Sequence, residues 1–411
     1  MNKNNSESFD TVEPIPPFRV PLSEISRRIS AIQQVMQAKG MDALVIVQRV
    51  DLFYFSGTSQ NGYLYIPVQG NPTLFIRKYM PRAEAESPIE KKIKIGSVKE
   101  LPGLIVDIYG KLPDVIGFEW DVMPVREFYY FQTLLAPKHC MDCSSLILGV
   151  RMIKSDWEIE CMAQTAELSH KIFNYIQTQM RPGLTEMEFS GIYEAYARKM
   201  GHSAGLRVRD YQADICNWHI LSGTSGGVVG LVDAPATGQG TSAAFPCSAS
   251  YKKLMPKEPV MVDMGTVING YHLDETRMFS IGAMPDTAQS ACEAVIDIHN
   301  AVIEMAKPDV TMDELYQRAV DMADSRGYAE QFLGPSGNKV TFIGHGVGLE
   351  LVEPPFIARG RKDRLQPGMT LALEPKMVFE NQFSAGIESV FTVTETGARL
   401  LSRVPVDIFI C

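Results

Sequence analysis

The stretch EPVMVDMGTVINGYHLDETRMFSIG, Glu258 to Gly282, decides the fold. It sets Asp263 directly behind the apolar residues Val260, Met261 and Val262, and Asp274 beyond an Asn269-Gly270 step. Asn-Gly is a strong hairpin signal, since both residues accept the positive φ of a two-residue type I′ turn. That turn predicts Gly265 opposite Asp274, and Asp263 opposite Thr276. Side chains alternate along a strand, so the two acids share one face as diagonal neighbours about 7–8 Å apart at the backbone. Bare carboxylates in a sheet interior repel each other and are costly to desolvate, and a divalent cation relieves both. A solvated hairpin whose acids face water is the competing reading, and these two residues alone do not choose.

Further acids follow. FIGHGVGLELVEPP (342–355) places His345 between Gly344 and Gly346, whose small size lets backbone approach a site. LALEPKMVF (371–379) sets Glu374 inside an apolar strand, and GIESVFTVTETG (386–397) does the same with Glu388. An ionised carboxylate on a buried strand needs a partner. Four acids and one imidazole on strand-like segments suit an oxygen-rich site for two hard-to-borderline metal ions.

The rest of the chain is organised around this region. At 411 residues it suits two domains. Hydrophobic content of 45% and charged content of 21% are those of a soluble globular protein. No apolar run approaches the ~18 residues of a membrane span. The first residues, MNKNNSESFDTVEPIPPF, lack the basic and apolar regions of a signal peptide, so a cytoplasmic location is expected. A net charge of −9 argues against coating nucleic acid. Seven scattered cysteines suit a reducing compartment. Cys140 and Cys143 have C-x-x-C spacing but no second ligand pair, so ordinary packing is expected of them.

Helical spacing of Leu22, Ile25, Ile29, Ile32 and Met36, closed by Gly40, predicts a helix over 22–39. Strands follow at 41–48 and 115–120, with a hairpin over 62–78 turning at Gly70-Asn71-Pro72. This α/β alternation predicts an N-terminal domain over residues 1–152. The remainder, 153–411, opens with a capping box at Ser155-Asp156-Trp157-Glu158 and a helix toward Met180. A second helix starts at Thr185 and ends before Gly201. The same grammar returns as a helix at 286–306, a capping box at Thr311 and a stop at Gly327. The joints RPGLTEMEF (181–189) and KPDVTMDEL (307–315) match in step, predicting an internally duplicated α+β domain. The Gly-rich run SGTSGGVVG (222–230) lacks a P-loop ending and is read as a flexible loop over the site.

In this order, VDMG…GYHLDETR, GHGVGLE, LALEP and GIES resemble the M24 metallopeptidases, the group of methionine aminopeptidase, aminopeptidase P and prolidase. The resemblance spans the chain. It implies a creatinase/prolidase-like N-terminal domain and a pita-bread catalytic domain with a duplicated helix pair and antiparallel sheet. It further implies two divalent ions (manganese, cobalt, iron or zinc). Asp263 would chelate one, Asp274 and Glu388 would bridge the pair, and His345 and Glu374 would complete the second. A metal-bridged hydroxide would attack the peptide bond, with Glu374 as proton shuttle. The implied activity is that of an Xaa-Pro aminopeptidase or dipeptidase acting on small peptides, in a homodimer, with no nucleic-acid or membrane partner.

The substrate shell departs from the family pattern. Pro246-Cys247 stands where a Pro-His step is usual, and Leu351-Val352-Glu353 where V-H-E is usual. Gly386-Ile387-Glu388 replaces R-I-E. His219 and His272 are candidate substitutes for the missing imidazoles, and Cys247 and Val352 occupy their places in the substrate shell. Losing an oxyanion donor costs on the order of 10²–10³ in rate. A metal-dependent hydrolase or lyase on a small non-peptide substrate, or a non-catalytic binding homologue, are the alternatives.

Overall fold

The computed structural model describes residues 18–203, 205–210 and 218–411. Ten α-helices among them are α1 (Leu22–Lys39), α2 (Arg49–Ser56), α3 (Met80–Glu86), α4 (Leu101–Tyr109), α5 (Val125–Leu135), α6 (Ser144–Met152), α7 (Asp156–Gln179), α8 (Glu186–Lys199), α9 (Asp286–Met305) and α10 (Met312–Ser325). The predicted first helix is present, closed by Gly40 in the left-handed conformation at φ 67°.

The N-terminal part is built on a six-stranded mixed sheet. Its strands are β1 (Ala43–Ile46), β2 (Gly62–Pro67), β3 (Thr73–Ile76), β4 (Lys91–Lys94), β5 (Val115–Phe118) and β6 (His139–Asp142), in the order β4-β3-β2-β1-β5-β6. The hairpin expected over 62–78 is the β2–β3 pair, and the strands expected at 41–48 and 115–120 are shorter, at β1 and β5. Cys140 and Cys143 are free thiols, Cys143 within the core.

The remainder holds two half-sheets. One contains β7 (Trp218–Ser222), β8 (Val260–Ile268), β9 (Tyr271–Ser280) and β17 (Ile408–Ile410) in the order β17-β9-β8-β7. The other contains β10 (Phe342–Gly346), β11 (Glu353–Ala358), β12 (Thr370–Leu373), β15 (Ser389–Val393) and β16 (Ala398–Leu400) in the order β11-β10-β12-β15-β16. A separate hairpin joins β13 (Lys376–Phe379) to β14 (Phe383–Gly386). Apolar faces of α7 and α8 pack on β7–β9, and those of α9 and α10 on the second half-sheet. The two helix joints repeat in detail. Thr185 and Thr311 each accept the N–H of a glutamate three residues on, at 3.1 and 3.2 Å. Gly183 and Asp309, at matching positions, both have positive φ (90° and 70°).

Two buried charge clusters lock the N-terminal part onto the rest. The fully buried Arg28 of α1 bonds the Tyr54 carbonyl at 2.8 Å, the Tyr271 hydroxyl at 3.0 Å and Glu158 at 3.1 Å. Arg151 of α6 bonds Asp51 at 2.7 Å, Glu353 at 2.6 Å and Glu350 at 2.9 Å. Arg209 reaches Asp51 at 2.6 Å and Asp121 at 2.5 Å. Burial pushes the Asp51 carboxyl up, but Arg151 and Arg209 outweigh it and hold it below the ordinary range.

Arg151→Met leaves three buried acids without this partner, so a loss of about 3–5 kcal/mol in urea-unfolding free energy is expected; a loss under about 1 kcal/mol would show that the cluster does not hold the seam. A second expectation concerns pH. Burial pushes His202 and His299 down to about 4, and the Nδ1 of His202 accepts the Val267 N–H, which requires a neutral ring. The unfolded chain, titrating at about 6.5, binds more protons than the folded one between these values. Stability contributed by these neutral rings is therefore complete above about pH 6.5 and declines as pH falls toward 4. His299→Leu should flatten the unfolding midpoint measured across that window.

Candidate metal centre

The Asn269-Gly270 turn has φ of 54° and 88°, both positive as a type I′ turn requires. Its register pairs Asp263 with Thr276 and Gly265 with Asp274, as the sequence predicts. A Cβ on Gly265 would lie 2.6 Å from Leu206, so glycine there also admits the neighbouring chain. The two half-sheets meet through backbone bonds between Thr276 and Glu388, the Glu388 N–H donating to Thr276 O at 3.0 Å. The Thr276 hydroxyl donates to Glu388 Oε2 at 2.8 Å. Arg277, fully buried, donates to the carbonyls of Thr276 and Glu388 and, at 2.6 Å each, to those of Val404 and Pro405. This seam carries Glu388 to the hairpin acids. From the other side, His345 lies on β10 opposite Ala372, and the Glu374 N–H bonds Ile343 O at 2.8 Å.

Asp263, Asp274, His345, Glu374 and Glu388 consequently line one cavity of about 830 Å³. His345 Nδ1 faces the Gly346 carbonyl at 3.0 Å, which turns Nε2 inward. Nε2 lies 3.6 Å from Glu374 and 3.9 Å from Asp274. Asp274, His345 and Glu388 each offer a ligand atom, all within 4.8 Å of one another. Glu388 Oε1 is buried with no hydrogen-bond partner among the described residues. These three donors, one of them carrying the orphaned oxygen, fit one divalent cation.

The other half of the cage contains a cation already. Lys376 Nζ lies 2.9 Å from Asp263 Oδ2, 2.8 Å from Glu374 Oε2 and 3.4 Å from Glu388 Oε2. Burial favours loss of its proton, but the three carboxylates outweigh this and hold its pKa well above the ordinary lysine value. Burial raises the Asp263 carboxyl, yet Lys376 and then His219 bring it below the usual range. Asp274 and Glu388 are pushed well up, first by burial and then by neighbouring carboxylates: Asp263 acts on Asp274, and Asp274 on Glu388. The repulsion that a further cation would relieve is thus greatest at Asp274 and Glu388, Lys376 reaching Glu388 at only 3.4 Å. As the side chains stand, one oxygen each of Asp263 and Glu374 is engaged by Lys376.

Lys376 is the residue that sequence reasoning missed. The expected strand through Glu374 is broken: Glu374 and Pro375 lie between β12 and β13, so strand alternation does not pair positions 374 and 376, and only the nearness of an acid and a base two residues apart hinted at the contact.

The candidate substrate residues separate. His219, opposite Asp263 on β7, and Val352 line the cavity. Cys247 is buried, is disulfide-bonded and falls outside the cavity's described lining, so it has no free thiol to offer a substrate. The reading of all cysteines as reduced does not hold for it. His272 is tied to backbone on both nitrogens, accepting from Arg207 N–H at 3.0 Å and facing Gly348 O at 3.1 Å. It is structural. The Gly-rich run also differs from expectation. Residues Gly223–Gly227 form a buried 3₁₀ turn against the β13–β14 hairpin, where a Cβ on Gly227 would lie 2.5 Å from Gln382 N. Only its continuation, Val232 to Ala234, borders the cavity.

The model of metallopeptidase family M24 matches residues 160–395. The chain belongs to metallopeptidase family M24. Residues 28–153 match the creatinase/prolidase N-terminal domain. The chain is 26% identical over 383 residues to the Xaa-Pro dipeptidase of Pyrococcus furiosus, covering 92% of this chain and 98% of that one. It is similar in fold to the solved Xaa-Pro dipeptidase from Bacillus anthracis, with a TM-score of 0.81 at 21% identity, covering 94% and 100% of the two chains. The X-Pro aminopeptidase from Thermotoga maritima gives 0.78 at 23% identity, covering 92% and 100%. The M24 protein therefore has a creatinase-like N-terminal domain followed by a pita-bread catalytic domain, and it is a metal-dependent hydrolase. No helix among the described residues is long and apolar enough to cross a membrane.

Asp274→Ala should abolish Mn²⁺ binding in calorimetric titration, because it removes one of three converging donors. Unchanged affinity would place the ion elsewhere.

Proposed function

We propose that this M24 protein is an exopeptidase on short peptides, of the Xaa-Pro dipeptidase or aminopeptidase type that its relatives' names describe. What carries the reading is the convergence of Asp274, His345 and Glu388, with Glu374 beside them, on a cavity large enough for a dipeptide. A divalent ion held by those three, when bound, supplies Lewis acidity toward a carbonyl oxygen and acidifies water.

The chain's own residues supply the remainder. Glu374 has one oxygen held by Lys376 and the other toward His345, at 3.6 Å, which orients it for carrying a proton across the scissile bond. His219 is kept neutral by burial, and its Nδ1 has no hydrogen-bond partner among the described residues. It is our candidate donor or acceptor for the substrate. Leu206, Phe342, Leu351, Val352 and Phe356 give the cavity apolar walls suited to a pyrrolidine ring or aliphatic side chain. Arg359 and Arg361, exposed at its lining, suit a free peptide carboxylate.

A second reading is favoured by Val352. An alkyl group stands where the family pattern has an imidazole, which removes a donor to the substrate carbonyl and suits a smaller non-peptide substrate. A panel of Xaa-Pro and other dipeptides, tested with Mn²⁺, separates the two. Cleavage is expected, and Glu374→Gln should lower kcat by about 10²–10⁴. Full metal loading without cleavage of any dipeptide would move the assignment to the non-peptide reading.

A further inference from the structure

We infer that Lys376 is a built-in cation filling one half of the cage, so that the protein loads a single divalent ion where the two-ion pattern would load a pair. The inference rests on the reading of this cage as the metal centre of the proposed hydrolase, and it concerns the number of ions held there.

The first support is occupancy. Asp263 and Glu374, one expected ligand from each metal of a pair, both direct an oxygen at Lys376 Nζ, at 2.9 and 2.8 Å. A metal bound to carboxylate sits about 2.0–2.2 Å from oxygen. An ion engaging those same two oxygens would be confined to the space of the ammonium, and two cations at contact distance repel. Lys376 is 3% exposed, so water does not screen it.

The second support is the room made for its stem. Lys376 pairs with Gly386 across the β13–β14 hairpin. A Cβ at position 386 would lie 2.8 Å from Lys376 Cγ and 3.6 Å from Cδ. Any larger residue at 386 would therefore displace the lysine. The chain carries glycine at the step where the M24 pattern has arginine, and the ammonium enters from the facing strand. The two departures form one structural unit: a cation is removed beside the cage and another is inserted within it.

The third support is what remains. Asp274, His345 and Glu388 keep donor atoms within 4.8 Å of one another, with Glu388 Oε1 unpartnered among the described residues. That is a set for one ion. Asp263 then serves the lysine, and Lys376 acts as a positioning residue that fixes Glu374.

The test counts ions on the full chain. Purified protein and Lys376→Met are stripped, titrated with Mn²⁺ by calorimetry, and measured by elemental analysis and electron paramagnetic resonance. One equivalent and an uncoupled Mn²⁺ spectrum are expected for the natural chain, and two equivalents with a spin-coupled pair for the variant. Two ions in the natural chain, or none, would overturn the inference. So would a folded variant that still binds one. Should Lys376→Met fail to fold, the count and spectrum of the natural chain decide by themselves. A one-ion protein that cleaves no peptide would support the count while overturning the peptidase reading.

Discussion

Four carboxylates on one buried seam cannot all stay ionised without cations, and the rest of the catalytic domain is arranged around that constraint. The seam exists because Thr276 and Glu388 join two half-sheets by backbone bonds, with Arg277 bracing the carbonyls on either side. Each half-sheet has its own pair of covering helices, so the domain's two halves press their acids into a common line. Removing water there makes each unmatched charge expensive and each matched one strong. Lys376 answers Asp263 and Glu374. Asp274, raised by burial and then by Asp263, and Glu388, raised by burial and then by Asp274, are where positive charge is still wanted.

The N-terminal domain contributes to the site from outside. Arg151 and Arg209 bind Asp51 of α2, and Arg151 also binds Glu350, from the segment between His345 and β11, and Glu353, the first residue of β11. The same Arg209 and Asp121 line the cavity. The ion-pair network that docks the domains thus also forms part of the wall around a substrate.

Much of this was legible in the primary structure, for reasons that can be named. The Asn269-Gly270 turn has only one comfortable hairpin register, so the Asp263–Thr276 and Gly265–Asp274 pairs followed from local backbone sterics. Capping boxes at Ser155, Thr185 and Thr311 satisfy helix N–H groups by short-range contacts, and each begins a helix where expected. Less legible were features set by distant segments. Cys247 reads as a free thiol until its disulfide is known, His272 as a possible substrate contact until its backbone bonds are. The buried 3₁₀ turn at Gly223–Gly227 reads as a loose loop because glycine signals both flexibility and close packing.

By itself the sequence determined the register of the hairpin, the helix starts and the duplicated joints, while the set of five residues that meet at the cavity followed from the resemblance to the M24 motifs. Register, starts and joints depend on turn geometry, capping and period-two alternation, which act over a few residues. Only the tertiary structure decided which cation each acid faces. Lys376 and Gly386 lie on separate strands, and Asp263 is over a hundred positions away from either. No local rule measures the distance between an ammonium and three carboxylates drawn from three segments; folding the two half-sheets together does.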